Sequence, residues 1–204
     1  MKDVPSGISI NLSGAASELE RTWIVMKNNV VIALFVIFLL LTVLMRSFIL
    51  PFVIVITVPI AGAGGVMGLV VLNQFTAQSL DMLTMLGFII LTGIVVNNSI
   101  LMVEQTLWHI RYESMKISEA ITEATRNRIR PIFMSTLTSL FGLIPLVIFP
   151  GSGSELYRGI GTVVFGGLST SAILTLLMVP PLLALALKFE KVKPISKNTQ
   201  EEFI

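Results

Sequence analysis

Long apolar runs separated by short polar breaks dominate this chain, and five of the runs are long enough to cross a bilayer. A helix rises about 1.5 Å per residue, so about 20 residues span a hydrocarbon core roughly 30 Å thick. The runs fall at about residues 23–45, 49–72, 83–108, 131–149 and 159–187. Lipid offers no hydrogen-bond partners, so backbone groups must be satisfied within each segment and each run reads as a helix. The predicted fold is an all-α polytopic membrane protein with the lipid bilayer as its surroundings. Trp23 suits the membrane interface, and Pro51 suits the first turn of its helix, where a missing N–H costs nothing.

Three stretches break the pattern. Residues 7–13 alternate Ile8, Ile10 and Leu12 with polar positions, the period of a half-buried strand. A lone strand lacks partners for its backbone, so residues 1–17 are expected to be the end of an extracytoplasmic domain whose other strands lie elsewhere. Ser17 and Glu20 have capping-box spacing and are expected to open the membrane domain, 18–187. Residues 114–130 place Met115, Ile117, Ala120, Ile121 and Ala124 on one face and Lys116, Glu119, Glu123 and Arg126 on the other. They predict an amphipathic helix along the cytoplasmic surface, with Pro131 starting the next span. Residues 188–204 form a charged tail.

Composition agrees with lipid: 54% of the 204 residues are hydrophobic and 13% are charged, against about 25% charged in soluble domains. With five crossings, one side receives ten basic residues, including Arg46, Arg111, Arg126, Arg128, Arg130 and Lys188, and the other only Lys2, Arg21, Lys27 and Arg158. The positive-inside tendency makes the first side cytoplasmic, with the N-terminus outside and the C-terminus inside. Met1 to Pro5 lack the features of a cleaved signal peptide, so the first run is expected to remain as a span. A net charge of +2 gives nucleic-acid binding no support. No cysteine is present, which removes disulfides and thiolate metal sites. His109 is the only histidine, which removes a zinc cluster and a His-based triad, and no phosphate-cradling loop occurs. The chain is not expected to be an enzyme or to hold a cofactor or metal.

The third run holds the most informative polar residues. Asn97 and Asn98 lie near its middle, where two amides need partners. They either line a transport route as a relay or gate, or hold the bundle together through interhelical hydrogen bonds. Glu104, seven residues on and near the same face, is either a proton-path carboxylate or the partner of Arg128 or Arg130. Gly64 and Gly68 form a GxxxG pair, and with Gly166 and Gly167 they are expected to let helices approach closely. Pro59 and Pro145 are expected to interrupt the second and fourth spans, and Pro180-Pro181 lies in the last third of the fifth; each removes an internal hydrogen bond and can kink its helix.

Gly-Ile-Val-Val-Asn-Asn-Ser-Ile-Leu-Met-Val-Glu at 93–104, followed by Ala-Thr-Arg-Asn-Arg-Ile-Arg-Pro-Ile-Phe-Met-Ser-Thr at 124–136, resembles the resistance-nodulation-division efflux permeases. Arg46-Ser47-Phe48, Val58-Pro59, Gly142 to Leu146, Gly166-Gly167 and Val179-Pro180 extend the likeness over about residues 7–190. The resemblance implies that the five spans close that family's second half. It implies proton-driven export of drugs, metals or amphiphilic compounds across the bacterial inner membrane, as a homotrimer joined to a periplasmic adaptor and an outer-membrane channel. It implies that the acidic pair of the proton relay lies in the first half, outside this chain. Asn97 stands where many drug pumps carry a lysine, Ser135 falls at a relay hydroxyl and Arg128 at the basic end of its span. On this reading the chain is a fragment that does not transport alone. The alternative is a small non-transporting membrane protein that assembles with or regulates a partner.

Overall fold

The computed structural model describes residues 15–78, 80–149, 151 and 154–189. They form six helices: α1 (Ala15–Met45), α2 (Ile49–Val55), α3 (Thr57–Asn73), α4 (Met82–Tyr112), α5 (Ile117–Ile148) and α6 (Ser154–Phe189). Five segments are long and apolar enough to cross a membrane, with α2 and α3 together making the second. The expected all-α architecture is borne out. The strand expected over 7–13 and the tail from residue 190 onward lie outside the described residues.

Several boundaries differ from expectation, each for a local reason. Helix α1 is already running at Ala15, so Ser17 lies inside it and does not open it. The surface helix expected over 114–130 and the span expected from Pro131 are continuous in α5, which carries Pro131 and Pro145 in its interior. In lipid an interior proline is tolerated where neighbouring groups satisfy the freed carbonyl, and the amphipathic pattern ahead of Pro131 has the same period as the span behind it. Span 2 does break, at Ile56, three residues before Pro59. Proline lacks the N–H that would reach the carbonyl four residues back, so Val55 loses its helical partner and the ladder parts there.

The turn between α1 and α2 follows from two residues. Arg46 takes a positive φ of 53°, and the Ser47 amide donates to the Thr42 carbonyl at 3.3 Å, closing α1 with a left-handed cap. The Ser47 hydroxyl then accepts from the amides of Ile49 and Leu50, both at 3.2 Å, and so starts α2. At the other end of the bundle Asp81 caps α4 by accepting from the Thr84 amide at 2.7 Å.

Helix α6 is the hub, packed against α2, α3, α4 and α5. One apolar cluster joins Leu50 and Ile54 of α2, Val103 and Leu107 of α4, Ala120 of α5 and Leu183 of α6. A second, toward the Asp81 end, joins Leu69, Leu91, Val95, Val163 and Leu168. Between helices in lipid there is little hydrophobic gain, so close contact and small residues carry the association. A Cβ added at Gly166 would lie 2.7 Å from the Gly64 carbonyl oxygen and 2.8 Å from Gly68 Cα. The α3 and α6 backbones touch there because neither has a side chain in the way. Gly167 instead makes room for a side chain, since a Cβ there would overlap the Leu91 side chain of α4.

Candidate functional site

The motif helix α4 presents two different polar faces. Leu86, Ile90, Gly93, Asn97, Glu104 and Trp108 are exposed and follow helical spacing, so they form one uncovered stripe. Ser99, two residues beyond Asn97, points to the opposite side and is fully buried. Asn98 is half-buried between them. Adjacent polar residues therefore serve different surroundings.

The inward face is satisfied within the bundle. Thr57, at the break in span 2, donates its hydroxyl proton to the Ile54 carbonyl at 2.6 Å and lies 3.1 Å from the Ser99 hydroxyl. The outward face is not. Glu104 borders a cleft of about 260 Å³ with Leu44 and Met45 of α1 and Trp108, Arg111 and Tyr112 of α4. It makes no ion pair within the described residues; the pair found there joins His109 to Glu113.

The expected partnership of Glu104 with Arg128 or Arg130 is not formed. The Arg128 Nε donates at 2.5 Å to Gln105, one residue along the helix and on the side facing α5. Ser135 is exposed and donates to the Ile132 carbonyl of its own helix at 3.1 Å. No hydrogen bond links Asn97, Asn98 and Ser135 with one another among the described residues. Gln105 and Ser99 were not singled out from the sequence, although Ser99 lies inside the motif, Gln105 follows it directly, and a helical wheel places Ser99 opposite Asn97.

Two buried polar groups stand apart from the motif. His109 is 6% exposed; its Nδ1 lies 2.6 Å from Glu113, and its Nε2 has no partner. Arg158, near the start of α6, is 7% exposed with an unpartnered Nε. Among the described residues no group of three His, Asp or Glu side chains is placed to hold a metal. Chemically, the uncovered stripe offers amide donors and acceptors from Asn97 and one titratable carboxyl, Glu104.

The model of the AcrB/AcrD/AcrF family matches residues 1–186. The swarming motility protein SwrC of Bacillus subtilis is 31% identical over 201 residues, covering 98% of this chain and 18% of that protein. The multidrug resistance protein MdtC of Erwinia amylovora is 34% identical over 177 residues, 87% of this chain and 17% of that protein. MdtC of Pectobacterium carotovorum is 33% identical over 198 residues, 97% and 19%. A crystal structure of a heavy metal efflux pump superposes with a TM-score of 0.76 at 29% identity, covering 92% of this chain and 18% of that one. The chain thus spans about a fifth of the length of the curated relatives it matches.

Proposed function

Because this chain belongs to the AcrB/AcrD/AcrF family of resistance-nodulation-division permeases, we propose that it supplies the closing membrane helices of a proton-driven efflux transporter and works only with the rest of a longer protein. The observation that carries this reading is the uncovered stripe on α4, with Asn97 and Glu104 exposed. An amide moved into hydrocarbon without a partner costs several kcal/mol, about 4–8 on the cyclohexane scale. Polar residues inside a membrane accordingly face other protein or a water-filled path. A second bundle docked along this stripe meets both requirements.

In this scheme Asn97 orients a partner without taking a proton, because an amide does not titrate. The proton is carried by carboxyls on the docked bundle, and Glu104 provides a carboxyl at the end of the path. Arg128, held by Gln105, and the Ser135 hydroxyl border the same route from α5. Gly64, Gly68, Gly166 and Gly167 keep the helices in register. The relatives' names speak of multidrug resistance and heavy-metal efflux, which supports drugs, metals or other amphiphilic compounds as cargo. We assign the whole assembly to the bacterial inner membrane, as a homotrimer with a periplasmic adaptor and an outer-membrane channel, with the basic ends of these helices in the cytoplasm.

A chimera tests the proposal. Residues 15–189 replace the matching segment of SwrC in a strain lacking its own pumps, and proton-dependent dye export is measured. The chimera is expected to export, and the same chimera with Asn97→Leu to lose most of that export. Full export by the Asn97→Leu chimera would contradict the polar role.

A further inference from the structure

The outward side of α5 carries an ordered set of charges that nothing above uses. At 100° per residue, Glu119, Glu123, Arg126, Arg130, Phe133, Leu137 and Phe141 fall within an arc of about 80°. All are exposed except Glu123, which is half-exposed. The only ion pair among the described residues is His109–Glu113, so Glu123, Arg126 and Arg130 are not paired with one another. Asn127 and Ile129 join the two arginines around an open depression ending at Pro131. From Pro131 to Ile148 the chain carries no charged residue, which sets the edge of the hydrocarbon layer at Arg130.

Along the helix the order is carboxylates, then guanidinium groups, then apolar rings and Leu137. Glu123 and Arg126 are about 4.5 Å apart along the axis, and Phe133 to Phe141 covers about 12 Å. An aminophospholipid presents the complementary order from the outside inward: an ammonium, a phosphate, then acyl chain. Arginine suits the phosphate because its planar fork makes two parallel hydrogen bonds. A carboxylate outside it favours a headgroup with N–H donors over one with a methylated or absent amine.

We propose that this stripe of α5 is a binding surface for an aminophospholipid, with Arg126 and Arg130 on the phosphate, Glu123 on the primary ammonium, and Phe133, Leu137 and Phe141 along an acyl chain. The inference rests on α5 spanning the membrane and needs no transport activity, so it stands or falls separately from the efflux reading.

The test uses the delipidated 204-residue chain in detergent, titrated with phosphatidylethanolamine, phosphatidylcholine and phosphatidylglycerol of identical acyl chains, with bound lipid resolved by native mass spectrometry. Phosphatidylethanolamine is expected to bind at least fivefold more tightly than the other two. Arg126→Gln and Arg130→Gln should each weaken it about fivefold, the equivalent of about 1 kcal/mol per arginine. Glu123→Gln should erase the preference for ethanolamine over choline while leaving phosphatidylglycerol binding no weaker, which also shows that the variant is folded. Arg111→Gln on α4 should have no effect. Equal binding of the three lipids, or unchanged binding by the double arginine variant, would overturn the proposal.

Discussion

Removing the Thr57–Ser99 contact should reveal an asymmetry that follows from counting protons. Each hydroxyl has one proton to donate. Thr57 directs its proton to the Ile54 carbonyl at 2.6 Å, so Ser99 must donate to Thr57 across the 3.1 Å gap. Ser99→Ala deletes one interhelical bond, and such bonds average about 0.6 kcal/mol in membrane proteins, with a ceiling near 1.7. Thr57→Val preserves shape but strands a serine hydroxyl with no solvent exposure and withdraws the donor from the Ile54 carbonyl. An unsatisfied buried group costs about 1–3 kcal/mol, so Thr57→Val should be the more destabilising change. Adding Ser99→Ala to Thr57→Val removes the stranded donor and should cost nothing further. Equilibrium unfolding in mixed micelles, followed by circular dichroism, measures all four proteins. Equal single-variant effects that simply add in the double variant would refute the assigned direction of the bond.

Four further outcomes follow from the packing and the caps. Gly166→Ala should destabilise the bundle by about 1–3 kcal/mol, the usual cost of overpacking, because the new methyl would press on the Gly64 and Gly68 backbone. Gly93→Ala, with nothing within 4 Å of its added Cβ, should instead be neutral or stabilise α4 by up to about 1 kcal/mol through helix propensity. Both are read in the same unfolding assay. Asp81→Ala should cost about 1 kcal/mol by removing the α4 cap, visible as faster amide exchange at Thr84 with no change at Val103. Arg46→Gly should raise stability by about 1 kcal/mol by relieving a left-handed backbone at a residue with a Cβ, and an unchanged midpoint would refute that assignment.

The spans were legible because lipid imposes one rule on every residue in them: about 20 apolar positions, or no crossing. The approach of α3 to α6 was also legible, since Gly64 and Gly68 four apart leave a groove whatever the partner, although that the partner is Gly166 was visible only in three dimensions. Boundaries were harder. Pro131 reads as a start signal in sequence, yet it sits inside α5, because the helix pattern runs unbroken on both sides of it. Of the interruptions expected at Pro59 and Pro145, only the first occurs: α5 runs on through Pro145, while span 2 opens at Ile56, next to the Val55 carbonyl that Pro59 leaves without a partner. The partner of Arg128 was missed for a geometric reason. Gln105 and Glu104 are neighbours in sequence but 100° apart around α4, and only the side facing α5 is within reach. The polar motif itself was evident, whereas its division into a satisfied inward face and an open outward one required the neighbouring helices.

Proton-coupled flux through the isolated chain tests the central claim most directly. The 204-residue protein is reconstituted in vesicles under an imposed pH gradient, with internal pH and export of a fluorescent amphiphile followed together. An α4 stripe that needs a second bundle predicts no proton or dye flux above that of empty vesicles. Gradient-dependent export by the chain alone, abolished by Asn97→Leu, would contradict it.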